Sequence, residues 1–275
     1  MTRSRLAALG FVVLLTAGAA PAADLPEAIR SSATLHLAVN ATYAPMEYHD
    51  PATNELTGLD IDLATALAKR LGVKIEWSDV PFEQLIPSLQ TGRTDFIISG
   101  FSDRASRREI ADFVDYLTTG PQFFALTDSP AKVPADLCGM KVGTVRSTSF
   151  PVEIDKWSKA NCEANGKLAV QYVPGENSID VRNQLKQGRI DAAVQGSETP
   201  PYAQANEPGK YRVIGDPIAH GFQGIAFRKS DTQLREAVTA ALRGMIADGT
   251  YRAVLAKYRL TANAVAEPTL NGATQ

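Results

Sequence analysis

Arginine, hydroxyl and carboxylate side chains are the groups in this chain whose spacing could support chemistry. Arg104, Arg107 and Arg108 form a short basic run just beyond Ser99, Gly100, Phe101 and Ser102. A guanidinium offers a planar two-donor fork that holds a carboxylate more strongly than a lysine does in a closed space. Read alone, the run is a solvated basic patch and the serine segment an ordinary turn. Ser147, Thr148 and Ser149 follow a strand-like stretch and either present N–H groups to a carboxylate at a helix start or form a plain N-cap. Tyr43 precedes a proline-containing loop at a strand end, an exposed place for a core aromatic. His36, His49 and His220 stand at metal-ligand spacing neither from one another nor from Cys138 and Cys162, which argues against a zinc or iron–sulfur enzyme. No cofactor or metal is expected.

The 275 residues, 44% of them hydrophobic, suffice for one or two domains with real cores. With 28 basic against 30 acidic residues and a pI near 6.0, no global positive field exists to hold a nucleic acid. Arg3 and Arg5 precede an apolar stretch from Leu6 to Ala20, and Ala20-Pro21-Ala22 supplies small residues for a cleavage site, so residues 1–22 read as a secretory signal. The apolar run is shorter than the roughly 18 residues that span a bilayer, and Ala23 rather than a cysteine follows, leaving no lipid attachment site. Loss of Arg3 and Arg5 leaves 26 basic against 30 acidic residues, a balance of -4. Export favours a disulfide between Cys138 and Cys162 over a redox pair, with free thiols as the alternative; such a loop closure stabilises by roughly 3 kcal/mol.

The elements that must position these groups follow from periodicity. Leu35, Leu37 and Val39 alternate as a strand; Leu63, Leu67 and Leu71 make a helical stripe that Gly72 ends. Val73, Ile75 and Trp77 alternate again, a helix covers Phe82 to Gln90, and Phe96-Ile97-Ile98 is a buried strand. The order predicts a parallel sheet covered on both faces. Leu89, Gly92, Arg93, Asp95 and Gly100 recur, each 96 positions later, as Leu185, Gly188, Arg189, Asp191 and Gly196. This repeat predicts two lobes of similar build, each closing a strand with glycine at the sheet edge where open α/β folds bind ligands. Thr118 to Gln122 reads as a crossing strand and Asp216 to Gln223 as the return, which together would make a hinge. The chain then returns to the first lobe with a strand at Gly224 to Phe227 and helices at Gln233 to Ala247 and Thr250 to Tyr258. The expected organisation is lobe 1 at 34–118 and 222–260, lobe 2 at 123–216 and a loose tail at 261–275.

Taken together, Thr42-Tyr43-Ala44-Pro45-Met46-Glu47, Gly58-Leu59-Asp60-Ile61-Asp62-Leu63, Leu85 to Leu89 with Gly92 and Asp95, Ser99 to Ser102 with Arg107-Arg108, Phe113 with Asp115, Val142-Gly143 and Ala247 to Tyr251 resemble the periplasmic polar amino-acid-binding proteins of ABC importers, solute-binding protein family 3. The resemblance spans residues 34–260. It implies a type II periplasmic-binding-protein-like α/β fold, two lobes on a two-strand hinge. The cleft would close on a small amino-acid-like or carboxylate solute, the protein acting as a monomer that docks on an inner-membrane permease, without a covalent step. It implies that Arg107 pairs with the solute's α-carboxylate and that Ser99, Gly100 and Ser102 bind the polar head. Tyr43 and Phe82 would sandwich the solute side chain, and Cys138–Cys162 looks like the second-lobe disulfide of one branch of the family.

Two departures stand out against that resemblance. Gly196 occupies the position that usually carries an aspartate for the α-ammonium, and Asn40 replaces an acidic residue often found beside basic side chains. The reading is therefore a carboxylate receptor that does not favour a basic amino acid. Glu198 or Glu47 would take over the ammonium, or the solute lacks one; Phe101 and Phe150 would enrich the pocket for an apolar, aromatic or N-alkylated solute. The alternative is an enzyme similar to the cyclohexadienyl dehydratases of the same fold, which needs a placed acid. Glu47, Asp60 and Glu198 are the candidates, with Asp60 accounted for by helix capping.

Overall fold

Apolar alternation builds two five-stranded sheets, each buried on both faces, in the computed structural model, which describes residues 25–272. The secretory segment expected at residues 1–22 lies outside the described residues. Lobe 1 opens with α1 (Glu27–Ser32) and β1 (Thr34–Val39), then a small ribbon of β2 (Thr42–Tyr43), β3 (Glu47–His49) and β4 (Leu56–Thr57). It continues through α2 (Leu59–Leu71), β5 (Lys74–Asp79), α3 (Leu85–Gln90), β6 (Phe96–Ile97), α4 (Ala105–Arg108) and β7 (Ala111–Thr119). Lobe 2 comprises β8 (Pro121–Leu126), β9 (Lys141–Val145), α5 (Phe150–Asn161), β10 (Gln171–Gly175), α6 (Ser178–Lys186), β11 (Ala192–Gly196), α7 (Thr199–Asn206) and β12 (Tyr211–Ile214). The chain returns to lobe 1 with β13 (Gly221–Arg228), α8 (Thr232–Ala247) and α9 (Thr250–Lys257). Among the described residues no helix is long and apolar enough to cross a membrane.

Strand period two sends neighbouring side chains to opposite faces. Leu35 and Leu37 of β1 therefore pack with Leu63, Leu67, Val238 and Leu242 from α2 and α8, while Ala38 packs on Leu85 and Leu89 of α3. Full burial of each such leucine contributes about 1.5–3 kcal/mol. Lobe 2 repeats the pattern, with Phe123 and Ala125 on one face and Phe124 on the other.

The sheets run β5-β1-β6-β13-β7 and β10-β9-β11-β8-β12. β1 is parallel to β5 and to β6, as the strand–helix order predicts, whereas β13 is antiparallel to β6 and β7, and β8 is antiparallel to β11 and β12. The physical reason is the hinge, since the strand that crosses between lobes enters each sheet from the cleft side. The expected loose tail is corrected. Beyond Leu260, Ala264 and Leu270 bridge to Leu117 and Val114, Asp115 N–H donates to Thr269 O at 2.8 Å, and Asn271 Oδ1 accepts from Phe113 N–H at 2.8 Å. An edge strand leaves backbone donors and acceptors open, and residues 264–271 satisfy those of β7.

Candidate functional site

The repeat read from the sequence is a physical joint. Gly92 and Gly188 both take left-handed φ, 73° and 67°, which a glycine adopts without steric cost. Each turn delivers an aspartate to the next strand: Asp95 accepts from His36 N–H at 2.7 Å and Asp191 from Lys141 N–H at 2.8 Å. Both strands then end at the cleft. Between the lobes the crossings at Gly120 and at residues 215–220 touch so closely that a Cβ on Gly120 would lie 2.0 Å from Ala219 O; only glycine fits the hinge there.

The carboxyl ends of β1, β6, β9 and β11 converge on a pocket whose space is ≈ 510 Å³, counting its opening to solvent. Of the residues expected from the sequence, Asn40, Tyr43, Phe82, Gly100, Ser102, Arg107, Thr148, Ser149 and Phe150 line it. Tyr43 comes from the ribbon, Phe82 from the single turn before α3, Arg107 from α4, and Ser149 is the N-cap of α5.

The three arginines separate by partner. Arg104 pairs across the cleft with Glu153 at 2.8 Å, and Arg108 grips Asp103 with bonds of 2.6 and 2.8 Å. Arg107 forms no ion pair with any described residue. Its guanidinium donates to Ser102 O at 2.9 Å and lies 4.0 Å from the Phe101 ring centroid and 5.5 Å from that of Phe82. Burial, and then the neighbouring Arg104, push its pKa down to about 10; it stays charged at neutral pH.

Other expected residues stand behind the wall. Phe101 is 1% exposed, held between Phe113 and Phe82 at centroid distances of 5.8 and 5.5 Å, so it backs Arg107 and does not face the pocket. Ser99 is fully buried because its hydroxyl donates to Glu47 at 3.0 Å and accepts from Asn40 N–H at 2.9 Å. Ser147 lines a neighbouring opening with Arg104 and Lys156. Gly196 donates its N–H to the Tyr43 hydroxyl at 3.0 Å, and a Cβ there would fall 2.1 Å from Glu198 Oε1. The Glu198 carboxylate thus fills the space a side chain at 196 would need. Fully buried, it accepts from Tyr43 at 2.6 Å, from Gln223 at 2.7 Å and from the Thr119 hydroxyl.

Capping does not account for Asp60. Gly58 holds the N-cap position of α2, and Asp60 instead accepts from Tyr116 at 2.7 Å and from Gly100 N–H at 2.6 Å. Burial pushes its pKa up to about 6. Burial, and then the nearby Asp60 charge, hold Glu47 well above the usual carboxylate range. Glu47, one of the two candidates for the ammonium, lines the pocket as well, and Val145, Ser178, Val194 and Gln195 line it without having been among the expected contact residues. The repeat carried a signal for one of them, since Gln195 stands 96 positions after Ser99.

Cys138 and Cys162 are bonded, with Cα atoms 5.5 Å apart. Residues 35–261 match the family model described as bacterial extracellular solute-binding proteins, family 3. The chain is 29% identical over 250 residues to the arginine-binding protein ArgT of Corynebacterium glutamicum, covering 90% of this chain and 82% of that one. It is 30% identical over 259 residues to the histidine-binding periplasmic protein of Salmonella typhimurium, covering 91% and 94%. A crystal structure of an ancestral amino acid-binding protein, a precursor of cyclohexadienyl dehydratase, superposes with a TM-score of 0.74 at 30% identity over 84% of this chain and 98% of that chain.

Proposed function

The chain belongs to the bacterial extracellular solute-binding proteins, family 3, and we propose that it is a periplasmic receptor of an ABC importer, exported by its N-terminal segment. It binds an amino acid or related small carboxylate between its lobes and delivers it, as a monomer, to an inner-membrane permease. The observation that carries this reading is the unpaired guanidinium of Arg107 in a pocket lined from both lobes. A charge in a half-enclosed space without a counter-ion is costly, and a solute carboxylate supplies one through the two-donor fork.

The mechanism is a population shift. Arg107, Ser102 and Phe82 meet the solute from lobe 1, while Thr148, Ser149 and Phe150 meet it from lobe 2; only the closed state offers both sets at once. Solute therefore favours closure by its differential affinity for closed over open. The permease then reads a surface formed by both lobes.

Calorimetry with amino acids and small carboxylates tests this. Arg107→Ala should weaken binding by about 2–5 kcal/mol, the range for truncating one member of a buried charge pair, and Arg107→Lys by less. A loss under tenfold in Arg107→Ala removes the residue from this role. One observation favours a second reading, a dehydratase on the same fold: Glu47 is a pocket acid held toward its neutral form. Incubation with prephenate is expected to yield no aromatic product, and an aromatic product would replace the receptor reading.

A further inference from the structure

Resting on the receptor reading, we propose that the ion pair between Arg104 and Glu153 is a latch across the cleft that sets how long the closed protein retains its solute. Neither residue lines the solute pocket itself. Arg104 stands at the N-cap of α4 in lobe 1 and Glu153 in the first turn of α5 in lobe 2, so the bond of 2.8 Å between them joins the two lobes directly.

The pair lies where it can act on the solute. The opening lined by Arg104, Glu153 and Lys156 shares Arg107, Thr148 and Ser149 with the solute pocket, so the latch spans the space beside Arg107. It is also built into the turn that carries Arg107. Arg104 O accepts the Arg107 N–H at 2.9 Å and the Arg108 N–H at 3.0 Å, while Asp103 N–H donates to Phe222 O of β13 at 2.9 Å. Drawing Arg104 toward lobe 2 therefore holds α4, and Arg107 with it, against the start of α5.

Both partners are shielded, with side chains 25% and 15% exposed, and shielding reduces the screening that makes surface pairs worth little. Glu153 is fixed from its own side: it sits at the positive end of the α5 dipole, and Lys156 lies 3.6 Å away. Arg104 has Glu153 as its one ion-pair partner among the described residues. When the lobes part, Glu153 keeps these helpers, whereas Arg104 loses its counter-ion while standing near Arg107, and like charges repel. In the closed state Glu153 answers Arg104 and the solute carboxylate answers Arg107, one acid to each guanidinium.

The test is stopped-flow kinetics on the full exported chain, freed of bound solute by unfolding and refolding. The probe is whichever of the standard L-amino acids and succinate binds the wild-type chain most tightly in calorimetry. Arg104→Gln and Glu153→Gln remove opposite charges, so a mere change in electrostatic field moves their rates in opposite directions. A latch moves both the same way: each variant should raise the dissociation rate about threefold or more, between the values for a surface pair and a buried one. The double variant should lose no more than either single, because the second substitution removes a partner that is already unpaired. Dissociation rates that stay unchanged or move in opposite directions overturn the latch and leave the receptor reading in place, as does a double variant whose loss is the product of the two singles. Absence of binding by every probe overturns the receptor reading, and the latch with it.

Discussion

In lobe 1 the turn at Leu89 to Gly92 sets Asp95 on the His36 N–H, and in lobe 2 the turn at Leu185 to Gly188 sets Asp191 on the Lys141 N–H, with distances differing by only a tenth of an ångström, 2.7 against 2.8 Å. Beyond these matching joints the lobes part. Gly100 takes a left-handed φ of 50°, gives its N–H to Asp60 and lies against the Tyr43 ring, 2.7 Å from where its Cβ would be. Gly196 gives its N–H to the hydroxyl of that same tyrosine and yields its side-chain space to Glu198. Backbone geometry is shared because both lobes must end a strand at the cleft. The chemistry differs because side chains one or two residues away are free to change. Lobe 1 brings the Arg107 guanidinium to the pocket, and lobe 2 supplies a carboxylate that ties the lobes together.

The largest break in that symmetry is covalent. Lobe 2 has the Cys138–Cys162 bridge, with a sequence separation of 24, and the described part of lobe 1 has none. Replacing both cysteines by serine should lower the unfolding free energy by about 3 kcal/mol. Hydrogen exchange should locate the loss in β9 and β10 and leave β1 and β13 protected. Equal loss of protection in both lobes would mean that they unfold as one unit and that the covalent difference does not divide them.

Next in size is the tyrosine that both glycines meet. Tyr43 lines the pocket from lobe 1 while its hydroxyl donates to Glu198 and accepts from Gly196 N–H in lobe 2. Tyr43→Phe keeps the ring against Gly100 and deletes both cross-lobe bonds. A hydrogen bond to a charged group is worth about 1.5–3 kcal/mol, so affinity should fall at least tenfold. Stopped-flow measurement should show the change in the dissociation rate. An unchanged rate would show that these bonds do not hold the lobes closed.

Much of this scaffold was legible in the sequence because it is written in short-range patterns: alternation in β1, the leucine stripe of α2, and the paired Gly and Asp of the two joints. The strand–helix order made the parallel run of β5, β1 and β6 legible, but not the antiparallel entry of β8 and β13, since period two is the same for parallel and antiparallel partners. The tail was misread because backbone bonding to the edge of β7 requires no hydrophobic period from Ala264 to Asn271. In the site, a basic run does not reveal which arginine lacks a partner; Arg104 and Arg108 are taken by Glu153 and Asp103 through tertiary placement. Glu198 finds its donors 155, 79 and 25 positions away in the chain, beyond any local pattern. The resemblance to the family is what selected Arg107, and the structure places it on the pocket wall without an ion-pair partner among the described residues.

The smallest difference between the lobes is electrostatic, and it has opposite signs. In lobe 1, burial pushes Asp115 up to about 7, against the pull of the Thr269 hydroxyl and with Asp103 beside it. In lobe 2, Glu207 is desolvated in part, yet Lys186 at 2.9 Å, Lys210 at 2.7 Å and the Tyr211 hydroxyl at 3.0 Å hold it down to about 2. A raised folded pKa means that Asp115 stabilises fully below its ordinary 3.8 and that this contribution is lost as pH rises through about 7. A depressed one means that Glu207 stabilises above its ordinary 4.5 and that this contribution is lost as pH falls through about 2. Denaturant titrations across pH should therefore show Asp115→Asn flattening the decline on the neutral side and Glu207→Gln flattening the decline on the acid side. The Glu207 effect should be the weaker, since its side chain is 35% exposed and solvent screens surface pairs. If both variants alter the same pH window, the lobes do not differ in the way their acids are held.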